Sequence, residues 1–132
     1  MPAVSAQIPV RPGTIQARIE PALSSADLNC LVRATAADTH RWQSRLRLPD
    51  GKDRWWTLLS TNNRVDVWLL SWLPGQTTDL HDHGFSAAAF TVIHGQLSET
   101  QIDPHGRTII HSRPPGSVAW LAPGAIHDVS GA

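Results

Sequence analysis

Tyrosine is absent from this chain, and cysteine occurs once, at Cys30. A lone thiol excludes an internal disulfide and favours a reducing compartment, so a cytoplasmic location is expected. Net charge is lacking as well, with Lys plus Arg and Asp plus Glu at 11 each. Such a balance leaves no electrostatic footprint for nucleic acid or for an acidic membrane surface. No apolar run approaches the roughly 20 residues of a membrane-crossing helix. Residues 1–16 hold Pro2, Pro9, Pro12 and Gly13 but no apolar segment of the signal-peptide kind. Internal repeats and low-complexity tracts are missing too. The 132 residues suffice for one domain at most, soluble and with a single core.

What the chain has in abundance is histidine, seven residues, and tryptophan, six. Taken in order, residues 1–21 carry four prolines and are expected to form a flexible leader, with one domain over 22–132. Ser24 or Ser25 offers an N-cap, and Asp27 in the first turn complements the helix dipole. Leu28, Leu31, Val32 and Thr35 then follow at helical spacing, which predicts a helix over 25–37. Trp42 and Leu46, four apart, suggest a second short helix over 38–46. Pro49-Asp50-Gly51 is a turn, because Pro fixes φ and Gly admits positive φ.

Beyond that turn the period changes to that of strands. Runs over 55–59 and 65–73 are rich in aromatic, branched and aliphatic residues, and Thr61-Asn62-Asn63 separates them. Both alternating sets of 65–73 are largely apolar, so this strand is expected to be covered on both faces. Further strands are predicted over 80–83, 87–94, 96–102, 107–112, 117–121 and 126–129. Gly95, Asp103-Pro104, Gly106, Pro114-Pro115-Gly116 and Pro123-Gly124 punctuate them. Many short strands with regular turn signals point to an antiparallel barrel or jelly roll.

The chemistry centres on Gly75-Gln76-Thr77-Thr78-Asp79-Leu80-His81-Asp82-His83. On an extended strand, His81 and His83 point to the same face, where two imidazoles can share a transition-metal ion. His127 follows the tight turn Pro123-Gly124 and is presented at a strand start. Three neutral imidazoles on a barrel's inner wall leave coordination positions open, as in catalytic rather than structural sites. Asp82 points to the opposite face and is expected to support the ligands from behind. His40, His94, His105 and His111 read as wall or solvated residues. Trp68, Trp72 and Trp120 read as core, one of Trp55 and Trp56 as pocket lining, and Cys30 as a small core residue.

This pattern resembles the cupin superfamily. Gly75, His81, His83 and Gly95 match its first motif in spacing, and Gly116, Gly124 and His127 match its second. The acidic position of the first motif falls at Ala88 and the proline position of the second at Ala122, with Pro123 one place late. Without a carboxylate at Ala88 the site holds three histidines, which is similar to the cysteine dioxygenase family of thiol dioxygenases. Trp72, Leu80-His81-Asp82-His83 and Gly95-Gln96-Leu97-Ser98-Glu99-Thr100 carry the same resemblance. It covers roughly 55–129, and 27–46 falls where the family has its leading helices. The fold it implies is mainly β, a cupin-type jelly-roll barrel with a short N-terminal helical region. The activity it implies is oxidation of a small thiol, cysteine or a relative, to the sulfinic acid by O2. Fe(2+) would be held by His81, His83 and His127, and the substrate would bind through its thiolate and amine.

The departures from the family pattern are specific. Some members crosslink a cysteine to a tyrosine near the site; here Ala88 stands at the cysteine position, and tyrosine is absent. A family arginine that pairs with the substrate carboxylate falls at about Thr57, flanked by Arg54 and Arg64, either of which is a candidate. The family also continues past its last metal histidine with further strands, whereas this chain stops at Ala132, five residues after His127. A barrel lacking its closing strands is therefore expected, in a chain cut short or a piece of a longer one, with exposed edge groups. Two other readings stay open. One is a cupin enzyme with a different metal and substrate, such as an isomerase or a carbon dioxygenase. The other is a degenerate cupin that binds a small ligand or pairs with another subunit.

Overall fold

The computed structural model describes residues 3–9, 24–50, 53–62, 64–84 and 86–132. Two antiparallel sheets face each other in a cupin-type jelly roll. In chain order the elements are β1 (Ala3–Pro9), α1 (Ser25–Ala37), β2 (Trp55–Thr61), β3 (Asp66–Trp72), β4 (Ala88–His94), β5 (Leu97–Ile102), β6 (Thr108–Arg113), β7 (Val118–Leu121) and β8 (Ile126–Gly131). The larger sheet runs β2-β3-β1-β4-β7 and the smaller β6-β5-β8.

The two-sided burial of β3 follows from its sequence. Leu70 and Trp72 join Phe90, Val92, Leu97, Leu121 and Val129 in the core between the sheets, with Trp68 packed against it. Val67, on the other face, packs with Ala6, Ala89 and the α1 residues Leu28 and Val32. Helix α1 thus lies across the outer face of the larger sheet. Its start is a capping box: Ser24 Oγ accepts from the Asp27 N–H and Asp27 accepts from the Ser24 N–H, both at 3.1 Å.

Several elements differ from the sequence expectation. Within the expected leader, Ala3–Pro9 is the middle strand of the larger sheet, paired with both β3 and β4; residues 10–21 lie outside the described residues. Alternation explains it: Ala3 joins the core between the sheets while Ala6 packs on the α1 side, a pattern that Pro2 and Pro9 at the ends obscure. The second helix is replaced by two 3-10 turns, Thr39–Arg41 and Gln43–Arg45. Side chains tie this segment down: the Trp42 indole donates to the Ala36 carbonyl at 3.2 Å, and Arg45 donates to the Leu58 carbonyl at 2.8 Å. Cys30 and Trp120 are exposed rather than core residues, because α1 and β7 turn them outward. Among the described residues, no helix is long and apolar enough to cross a membrane.

The edge of β8 is not open. Residues 75–81 run along it: Gly75 N donates to the Gly131 carbonyl at 2.9 Å, Thr78 N to Val129 at 2.9 Å and Gly131 N to Gln76 at 2.8 Å. The edge of β8 is therefore covered by the histidine-bearing stretch itself. Gly131 is required there, since a Cβ would run into the Leu73 carbonyl.

Candidate metal centre

The stretch carrying His81 and His83 is irregular, not the strand expected over 80–83. Asp79 adopts φ 60°, with its N–H held by Thr77 Oγ1 at 3.0 Å, and the chain turns there. His81 then forms a single antiparallel bridge with His127, each N–H donating to the other's carbonyl at 2.9 Å. A second turn follows at Gly84, φ 62°, whose N–H donates to Asp82 Oδ1 at 2.8 Å. Asp82 thus fixes the loop that aims His83, as a residue behind the ligands should. The backbone pair sets His81 beside His127 across the barrel seam, and the Asp82 turn brings His83 to the same point.

One nitrogen from each ring lies within 4.8 Å of the other two. Ring centroids are 4.6 Å apart for His81 and His127, 5.2 Å for His81 and His83, and 5.4 Å for His83 and His127. The Nε2 atoms of His83 and His127 stand 3.3 Å apart. Metal–imidazole bonds of about 2.1 Å put neighbouring ligand nitrogens roughly 3 Å apart, so the cluster is near the spacing a shared ion requires.

The far ring nitrogens are engaged. His81 Nδ1 lies 2.8 Å from the Asp79 carbonyl, which can only accept. His127 Nδ1 lies 2.8 Å from Glu99 Oε2. Both contacts place a proton on Nδ1 and leave the Nε2 lone pair facing the cluster. His83 is half-buried, and its pKa is pushed down to about 4, chiefly by desolvation and then by the neighbouring His127 and His81. It is neutral at physiological pH, as a ligand must be.

Glu99, given no role in the sequence beyond its place in the 95–100 stretch, contacts the cluster directly. It is fully buried, and its other oxygen accepts from Arg113 at 2.7 Å and 3.1 Å and from Gln101 at 3.1 Å. Burial alone raises its pKa, yet the hydrogen bonds from His127 and Arg113 bring the balance below the usual carboxylate value. The signal was present in the alternation of β5, where Glu99 shares the inward face with Leu97. An acidic residue on a buried face is tolerated only when paired.

Beside His83 lies a cavity of about 320 Å³ bounded by Gln7, Arg54, Trp56, Trp68, Leu70 and His83. Of the two candidate arginines, Arg54 therefore lines the same cavity as His83. Its guanidinium sits 5.5 Å from the Trp56 ring centre and 5.4 Å from that of Trp72. Arg64 is held elsewhere, in the β2–β3 turn where its charge acts on Asp27 at the start of α1. Thr57 pairs across from Leu69 and accepts from Arg45 at 3.1 Å. Trp56 is the member of its pair that lines the cavity. Ala88 is buried in the core between the sheets and brings no carboxylate near the histidines. His40, His94 and His105 are exposed, and His111 is half-buried opposite Glu99.

The donor set tests what such a site accepts. Three imidazoles with no thiolate or carboxylate suit a borderline divalent ion such as iron(II), nickel or zinc, and three protein ligands leave room for others. A family model described as cysteine dioxygenase type I matches residues 15–112, more than half of the chain. His81 and His83 fall inside the match, and His127 lies beyond it. No curated protein matches the chain.

Proposed function

Since the chain belongs to the cysteine dioxygenase type I family, we propose that it is a non-haem iron(II) thiol dioxygenase. It adds both atoms of O2 to the sulfur of cysteine or a related small thiol, RSH + O2 giving RSO2H, so no further reductant is consumed. The observation that carries this is the convergence of His81, His83 and His127 without a carboxylate ligand. Ferrous iron held by these three residues would supply open positions and a Lewis acid that favours the thiolate.

The chain's own residues do the rest. Arg54, braced between Trp56 and Trp72, holds a substrate carboxylate and so fixes the thiol against the histidine face. Trp56, Trp68 and Leu70 wall the cavity and displace water from it. Glu99 keeps His127 in the tautomer that presents Nε2. A lone Cys30 accords with a reducing, cytoplasmic setting.

The test is anaerobic loading with ferrous iron followed by oxygen uptake with cysteine and with 3-mercaptopropionate. Thiol-dependent uptake with sulfinate as product, abolished in His81→Ala, is the expected result. A folded, iron-loaded protein that consumes no oxygen with any thiol sinks the proposal. Preferential retention of nickel or zinc turns it toward a cupin of other chemistry.

A further inference from the structure

The cavity beside His83 is larger and more apolar than cysteine requires. Cysteine and 3-mercaptopropionate have few enough non-hydrogen atoms to fill about 100 Å³ at protein packing densities, against roughly 320 Å³ here. Of the described lining residues, Trp56, Trp68 and Leu70 are large and apolar. Trp56 is 53% exposed, so one indole at the cavity mouth is only partly covered by the protein. A half-exposed indole facing a cavity gains from a ligand that brings apolar surface to it.

The polar lining is equally selective. Among the described lining residues Arg54 is the one charged side chain, His83 being neutral, and Gln7 adds a neutral amide. Among the described residues no carboxylate borders this cavity; Asp53 lines the neighbouring outer groove, which Arg54 and Trp56 also border. Inside the cavity an ammonium group next to Arg54 would meet a like charge, while a carboxylate is matched. The aromatic rings flanking Arg54 also hold its guanidinium in one place before any ligand arrives.

We infer that the thiol taken by this cavity is a mercaptocarboxylate with a bulky apolar body, aryl or branched alkyl, in preference to cysteine; this rests on the thiol dioxygenase reading. The carboxylate meets Arg54, the thiol faces the histidines, and the apolar body covers Trp56 and Trp68.

Binding and turnover test it separately. Tryptophan fluorescence of the metal-free protein is titrated with 3-phenylpropionate and with propionate. A Kd at least about tenfold lower for the aryl acid is expected, from the extra apolar area buried. Trp56→Ala should bring the two acids to within about twofold of each other, whereas Trp120→Ala should leave the preference intact. The iron-loaded protein is then given 2-benzyl-3-mercaptopropionate and cysteine, and kcat/KM should favour the aryl thiol by about tenfold. Equal Kd values, a preference that survives Trp56→Ala, or a kcat/KM that favours cysteine overturns the inference. Binding preference without turnover of any thiol supports the cavity's ligand class and removes the dioxygenase reading. Turnover of cysteine without binding preference does the reverse.

Discussion

Glu99 divides its two oxygens between His127 and Arg113 at no exposure to solvent. Such a carboxylate fixes the imidazole's tautomer and angle and raises its basicity. Glu99→Gln should therefore lower affinity for a divalent metal about 10–100-fold, measured by calorimetric titration of the metal-free protein. His83 supplies a second prediction at this scale. Its folded pKa of about 4 lies below the ordinary 6.5, so the unfolded chain takes up that proton first. The contribution of His83 to the stability of the metal-free protein is then level above pH 6.5, falls as pH drops toward 4, and flattens below. The loss should be about 2 kcal/mol, the half-exposed ring being discounted for solvent screening. Nuclear magnetic resonance titration of the His83 ring should show a midpoint near 4.

At the scale of elements, local rules explain most of what forms. The helix over 25–37 begins and ends where periodicity and the Ser24 cap place it. The strands expected over 87–94, 96–102, 107–112, 117–121 and 126–129 correspond to β4–β8 within two residues at each end, because turn residues separate them so plainly. The failures occur where a partner distant in sequence decides. Residues 80–83 have the composition of a strand, yet Asp79 and Gly84 at positive φ confine pairing to one bridge. The approach of β8 to residues 73–76 is equally non-local. Gly131→Ala should cost about 1–3 kcal/mol in urea denaturation, since its methyl group would overlap the Leu73 carbonyl and part the two segments.

Across the whole molecule, the three histidines bind two segments into one seam. His81 and His83 lie on the irregular stretch and His127 on β8, and one reciprocal pair of backbone hydrogen bonds links His81 directly to His127. A metal ion shared by these rings would staple the seam in the folded state alone. At a free metal concentration 100 times Kd, the gain should be about 2.7 kcal/mol, which for a domain of this size raises Tm by roughly 10 °C. Differential scanning calorimetry with ferrous iron and with chelator measures this, and His81→Ala should remove most of the rise. The jelly roll also separates the two candidate arginines: Arg54 stands two residues from Trp56 and lines the same cavity, while Arg64 sits at the other end of the β2–β3 hairpin.

The amino-acid sequence alone determined the fold class, the helix and its cap, the turns, and the identity of the three converging histidines. These are properties of period, local backbone preference and motif spacing, which neighbouring residues carry between them. Tertiary structure decided that Ala3–Pro9 is a central strand, that residues 75–81 close the edge of β8, that Glu99 holds His127, and that Arg54 reaches the cavity. Each of those depends on groups far apart in the chain, whose meeting is set by sheet order and register rather than by any local pattern.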